Sequence, residues 1–249
     1  MGRLRSRLKQ WLFGLKSCSN DSRAYLVSVV NAFDVYNQVI AENPAVADCI
    51  KVTYDNTEEN IGIPARYNNF IDQNIVEDTD FWIIFCHQDF GFNEPPGDKL
   101  AKLPVGAIYG PVGVKNVKFR CRRPPWRKYY RKMMYGELKQ GKNNSDFRVD
   151  GIRVDDPVEV DTCDCCCLIV HSSLIRKYNL RFDEKLKFHL YAEDFSITAG
   201  KKYDIKTRAV QFDCYHLGKG NYSDEYYRDL EYVKAKHKLE KLYSTGVTE

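Results

Sequence analysis

Polar residues whose types can hold a cation or move a proton stand where apolar runs of this chain end. Asp55-Asn56 follows the run 49–54, and His87-Gln88-Asp89 follows 81–86. Asp161 and Asp164 sit at the start of the run 158–170, His216 closes 205–215, and Glu193-Asp194 opens a helical stretch nearby in sequence. Carboxylate and imidazole together are a ligand set for a borderline divalent cation such as Mn²⁺, which in turn neutralises a diphosphate. An unpaired carboxylate beside such a site can act as general base toward a hydroxyl. Each group also has a plainer role open to it. An Asp after a strand serves as a turn or cap residue, and a His beside an apolar strand as a hydrogen-bonded core residue. Glu193-Asp194 would also complement a helix macrodipole. Only the order of the groups along the chain joins them into one site.

The elements that must position these residues follow from periodicity. Residues 25–30 are β-branched and apolar, 33–40 have helical spacing and stop at Asn43-Pro44, and 49–54 form a second strand. A loop and helix over 57–71 lead to a third strand, 81–86. Strands alternating with helices, each strand closing on polar residues, predict a parallel α/β sheet whose ligands gather at the strands' carboxyl ends. Pro95-Pro96-Gly97 makes a turn, and 105–114 reads as a glycine-punctuated strand and loop. Residues 115–156 lack sustained periodicity and predict a long excursion, a feature that is usually functional. Beyond it come a strand over 158–170, a short helix over 174–178, a helix over 192–200, a strand over 205–215 and a charged helix over 226–243. The expected organisation is a basic amphipathic segment (1–22), a catalytic domain (23–222) carrying the excursion, and a C-terminal helix (223–249).

Composition sets the outer bounds. At 249 residues and 43% hydrophobic the chain can bury a sizeable core, and 29% charged residues with a net charge of +4 exclude a disordered polyelectrolyte. No apolar run approaches the ~18 residues a spanning helix needs, and no signal-peptide core is present, so a cytoplasmic protein is expected. Of nine cysteines, Cys163, Cys165, Cys166 and Cys167 crowd together, which predicts reduced thiols in a buried strand. Alternating side chains of a strand could not converge on one zinc ion.

The net charge conceals a separation. Residues 1–16 hold five basic residues and no acid, residues 115–132 hold nine and no acid, and the remainder carries 24 basic against 34 acidic residues, a net charge of −10. The first patch reads as an amphipathic helix, with Leu4, Leu8, Trp11, Leu12 and Leu15 on one face, able to lie peripherally on an anionic inner membrane surface or to pack on the domain. The second, near Trp126, Tyr129, Tyr130 and Tyr135, admits three readings: a solvated loop, a nucleic-acid contact, or a contact with an anionic lipid-linked acceptor. Because the body is acidic, no nucleic-acid partner is expected.

Taken in order, the motifs resemble those of the glycosyltransferase family 2 superfamily, in particular a bacterial subgroup that writes its Asp-x-Asp motif as His-Gln-Asp. The resemblance rests on Asp55, on Gly62-Ile63-Pro64-Ala65-Arg66-Tyr67-Asn68, on His87-Gln88-Asp89, on 105–113, on 160–165, on the stretch FDEKLKFHLYAED, and on His216 with Gly218. It covers roughly residues 24–221. It implies a GT-A (Rossmann-like) mixed, mostly parallel sheet flanked by helices, and an inverting, metal-dependent transfer from a nucleotide-diphosphate sugar to a glycan or lipid-linked hydroxyl. By the same resemblance Asp55, Asn56, Arg66, Asn68, Gln88 and Asp89 would bind the nucleotide sugar. Asp89 and His216, with His87 in the place of the motif's first Asp, would hold Mn²⁺ or Mg²⁺. Asp194 would be the general base, Glu193 would orient loops or acceptor, and Asp164 and His189 would lie on the acceptor side. The Gln-x-x-Arg-Trp motif of processive synthases is missing, which implies a single addition. A catalytically silent sugar-nucleotide or glycan-binding module on the same fold is the alternative, since fold does not fix function.

Overall fold

The structure, a computed structural model, describes residues 24–75, 80–120, 128–142, 146–218, 220 and 222–246. The amphipathic segment 1–22 and the middle of the second basic patch lie outside the described residues. The chain begins with β1 (Ala24–Val30) and α1 (Phe33–Tyr36), which continues as a π-helical turn over Asn37–Ala41. Next come β2 (Ile50–Asp55), α2 (Ile63–Asn74) and β3 (Trp82–Cys86). The short β4 (Phe90–Phe92), α3 (Gly97–Leu100) and β5 (Ile108–Gly110) precede two long strands, β6 (Gly113–Arg120) and β7 (Lys128–Tyr135). They are followed by β8 (Leu138–Gln140), β9 (Arg148–Asp150), β10 (Val158–Val160), β11 (Thr162–Cys163) and β12 (Cys167–His171). The last part runs α4 (Ser172–Tyr178), α5 (Tyr191–Tyr203), β13 (Thr207–Ala209), β14 (Cys214–His216) and α6 (Asp224–His237).

Seven strands form the central sheet in the order β10-β13-β5-β12-β3-β1-β2. β1, β2, β3, β5 and β13 run one way, while β12 and β10 oppose them, so the sheet is mixed and mostly parallel, flanked by helices, as expected. Every residue of β3 and of β12 is buried, because both faces of these two strands are covered. On one face lies a layer built on Tyr67, Phe70, Phe85, Phe182 and Phe195; on the other lies one built on Val39, Ile40, Trp82, Tyr109 and Phe212. A second sheet has the order β4-β14-β8-β9 and a third the order β11-β6-β7.

Three expectations change. The excursion 115–156 is not irregular: Gly113 to Arg120 pair residue for residue with Tyr135 back to Lys128, and β8 pairs with β9. Polar and apolar residues mix at both odd and even positions of that sequence, which hides its strand period. The run 158–170 is three strands, because the Asp164 carboxylate accepts the Cys166 backbone N–H at 2.8 Å and folds the chain into a turn. The clustered cysteines therefore do not share one strand, although all seven described cysteines are free thiols. The C-terminal helix stops at His237, where Lys238 takes a left-handed conformation with φ 53°, and the chain returns in extended form toward Asp164. Among the described residues no helix is long and apolar enough to cross a membrane.

Candidate functional site

The end of β3 and the end of β14 meet. β3 stops at Cys86, the turn His87-Gln88-Asp89 feeds β4, and β14 pairs antiparallel with β4 so that His216 lies opposite Phe90. The Leu217 N–H donates to the Asp89 carbonyl at 3.0 Å and locks the junction. Ligand atoms of His87, Asp89 and His216 all lie within 4.8 Å of one another. His216 Nε2 is 3.2 Å from Asp89 Oδ1. Gly218 is required beside them: a Cβ there would sit 2.8 Å from His216 Cε1 and 2.9 Å from Asp89 Oδ2.

The protonation pattern suits a cation. Tyr191 donates its hydroxyl hydrogen to the Cys165 carbonyl at 2.7 Å, so the 3.0 Å contact between Tyr191 Oη and His87 Nε2 places the imidazole proton on Nε2. His87 Nδ1 is left with its lone pair. Burial, working against the attraction of Asp89, pulls His87 down to about 4, so the ring is neutral at physiological pH. Burial would raise Asp89, yet the hydrogen bond and charge of His216 bring it to about 2. Burial likewise lowers His216, but the Asp89 carboxylate outweighs it and raises the ring above its ordinary value. The ionised Asp89 carboxylate and the neutral His87 imidazole are ready donors for a divalent cation, and His216 joins them on release of the proton it shares with Asp89.

Two cavities flank the triad and share His87, Phe188 and His189 as a wall. The first, of about 440 Å³, opens over the carboxyl ends of β1 and β3 and is lined by Asn31, Asn56, Gln88, Asp89 and His216. The second, of about 490 Å³, is lined by Asp164, Glu193, Tyr222 and Thr245. Leu190 takes the left-handed region at φ 58° just before α5, which turns the chain so that Phe188 and His189 meet the cavities while the first turn of α5 follows directly. A cavity of about 900 Å³ near β10 and residues 238–243 shares no lining residue with these two.

The anticipated residues divide by placement. Gln88 lines the first cavity and ties the ends of β1 and β3: its Oε1 accepts the Asn31 and Ala32 N–H groups at 2.9 Å, and its Nε2 donates to Asn31 Oδ1 at 2.7 Å. Asn56 lines the same cavity and closes the following loop on Ile61. Asp55 is exposed and accepts the Thr57 N–H and hydroxyl at 2.9 and 2.8 Å, which lowers its pKa. Arg66 donates to the Asp55 carbonyl at 3.2 Å and to Glu59. Asn68 lines neither cavity: it is buried, with its amide engaged by Phe182 and Glu184.

On the other side, His189 lines both cavities and Asp164 the second. Asp164 accepts the Cys166 N–H and the Thr245 hydroxyl, bonds that hold it ionised against its burial. Glu193 and Asp194 point apart. Glu193 lines the second cavity, is 3.0 Å from Cys165 Sγ, and is pushed by burial up to about 8. Asp194 lines neither cavity; His237 Nε2 and Lys236 Nζ each hold its carboxylate at 2.8 Å. Sequence reasoning missed Tyr191, Phe188 and Thr245. The first two sit inside the motif FHLYAED and were within reach of it, whereas nothing in the sequence signals Thr245.

No protein-family model matches this chain, and no curated protein sequence matches it. Among solved structures it is similar to TarS of S. aureus, at 11% identity and TM-score 0.48, over 86% of this chain and 39% of that one, so the chain spans about two-fifths of TarS. It is similar to A197 from STIV at 12% identity and TM-score 0.40, over 79% and 86% of the two chains. A glycosyltransferase involved in the glycosylation of the major capsid of PBCV-1 is similar at 11% identity and TM-score 0.34, over 86% and 99%.

Proposed function

We propose that this chain is an inverting glycosyltransferase that moves a sugar from a nucleoside-diphosphate sugar to a hydroxyl of a glycan or lipid-linked acceptor. The observation that carries the reading is the placement of His87, Asp89 and His216 in the first cavity, with His87 shared by the second and a buried carboxyl group, Glu193, facing that second cavity. The order of motifs in the sequence supports the same reading.

His87, Asp89 and His216 would hold Mn²⁺ or Mg²⁺, which when bound supplies positive charge to offset the leaving diphosphate. Asn56 and Gln88 shape the floor of the donor cavity, and Lys187 on its rim adds a cation for phosphate oxygens. Glu193, rather than the neighbouring Asp194, is the base. An acceptor hydroxyl in the second cavity gives its proton to the Glu193 carboxylate, and its oxygen bonds to the anomeric carbon as the carbon–oxygen bond to the diphosphate breaks on the opposite face. A carboxylate with pKa about 8 is a strong proton acceptor once ionised. Asp194, already held by Lys236 and His237, ties α5 to α6. The basic segment 1–16 and the cations of the β6–β7 hairpin would hold the enzyme against an anionic inner membrane surface where a lipid-linked acceptor resides.

A panel of nucleotide sugars tests the reading by thermal shift and diphosphate release. One donor should stabilise the protein with Mn²⁺ and release its diphosphate, chelator should abolish release, and E193Q should bind donor while losing about 10²-fold or more in turnover. Full turnover in chelator would remove the metal from the account, and full turnover by E193Q would remove the base.

A further inference from the structure

We infer that the second cavity is a saccharide subsite that accepts a ring bearing no acid group, neutral or amine-substituted, and turns away one carrying a carboxylate or phosphate. This rests on the glycosyl-transfer reading of the triad and names which acceptor ring that reaction uses.

Two kinds of surface meet in the cavity. Phe188 and Tyr222 line it and are 46% and 42% exposed, although aromatic rings of this size ordinarily bury most of their area. Phe188 is backed by the His87 ring at 5.7 Å and 14° between planes, and Tyr222 stands edge-on to Tyr226 at 5.1 Å. Both rings are thus fixed by neighbours. Fixed aromatic surface beside hydrogen-bond acceptors suits a pyranose, whose C–H face is apolar and whose rim is hydroxyl groups.

The charges are one-sided. Among the described residues lining this cavity, the acidic side chains of Asp146, Asp150 and Asp164, with the proton-holding Glu193 beside them, face a single guanidinium, that of Arg148. Arg148 is itself paired with Asp150 at 2.6 Å. Asp164 stays ionised through the Thr245 hydroxyl and the Cys166 N–H. Lys132 of β7 does not line the cavity; it donates to the Ser244 and Gly246 carbonyls at 3.0 and 2.7 Å. It thereby holds residues 244–246 as a strap across the cavity wall behind Asp164. An acidic ring in this space would meet the buried Asp164 carboxylate with no free cation among the described lining residues, and juxtaposed like charges are disfavoured.

The test uses the full chain and matched methyl glycosides of the gluco and galacto series, as neutral sugar, 2-amino sugar and uronic acid, followed by saturation-transfer NMR. Mn²⁺ with nucleoside diphosphates is titrated calorimetrically in parallel. A neutral or amino glycoside should saturate, the matching uronide should bind about tenfold more weakly or worse, and D164N should narrow that gap. Y222A, which lines only this cavity, should weaken the neutral ligand while leaving diphosphate binding unchanged. Equal or tighter uronide binding overturns the inference, as does diphosphate binding with no saccharide binding. Loss of diphosphate binding as well would instead sink the transferase reading beneath it.

Discussion

Replacing Glu193 by Gln separates a buried acid that works as a base from one that only packs. Burial raises this carboxyl to about 8 in the folded protein, against 4.5 for an unhindered glutamate. Between those values the folded state holds one proton more than the unfolded state, so its contribution to stability is complete at low pH and is lost as pH rises through about 8. The slope is about 1.4 kcal/mol per pH unit within the window, and between pH 6 and pH 8 the loss comes to about 2 kcal/mol. Gln has no such loss, and its carbonyl can still accept from the Cys165 thiol, 3.0 Å from the carboxylate in the native chain. Cys165, the thiol in contact with this carboxyl, is pushed by burial well above its ordinary value and stays protonated across the range in the native chain. The melting temperature of E193Q relative to wild type should therefore climb by about 4 to 8 °C from pH 6 to pH 8 for a chain of this size. Over the same range wild-type turnover should rise toward a plateau above pH 8, while the variant stays inactive at both. Parallel melting curves at the two pH values would refute the assigned burial and charge state. A variant that gains the stability but keeps turnover would refute the role as base.

Other consequences fall on the surrounding residues. Y191F removes the group that receives the His87 Nε2 proton, so Mn²⁺ affinity measured by calorimetry should fall about 10- to 100-fold with little change in the circular dichroism spectrum. G218A places a methyl group against His216 and Asp89 and should weaken Mn²⁺ binding without disturbing the central sheet, as read by near-unchanged urea unfolding. D194N removes the anion from a buried cluster with His237 and Lys236 and should cost about 3 kcal/mol or more in urea unfolding. Its turnover per folded molecule should stay within tenfold of wild type; a collapse to the level of E193Q would return the base to Asp194.

The sequence carries some of these features openly and conceals others for physical reasons. Asp89 and His216 are legible because each ends an apolar strand, and a polar residue at that place has the sheet's carboxyl edge as its surroundings. The sheet itself is legible through β1, β3 and β12, whose continuous apolar runs reflect burial on both faces. The turn at Asp164 is not: a single side chain capping its own backbone breaks a run that hydropathy joins. Glu193 and Asp194 are adjacent in sequence but diverge around the helix axis. What separates their roles is His237 and Lys236, more than forty residues downstream, which no local pattern brings to Asp194. Thr245 reaches Asp164 only because the chain reverses at Lys238, a positive-φ residue with no glycine to announce it. The fate of the basic hairpin was obscured for a simpler reason. Charged residues fall at both odd and even positions of its sequence, so no alternation marks its strands.

The central claim is that His87, Asp89 and His216 hold a divalent cation that in turn grips a nucleoside diphosphate. Pulsed electron paramagnetic resonance of the Mn²⁺-loaded protein tests it directly. Couplings to two imidazole nitrogens are expected, one lost in H87A and the other in H216A, with a phosphorus coupling that appears when nucleoside diphosphate is added. Bound Mn²⁺ without nitrogen couplings, or nitrogen couplings that survive both substitutions, would contradict it.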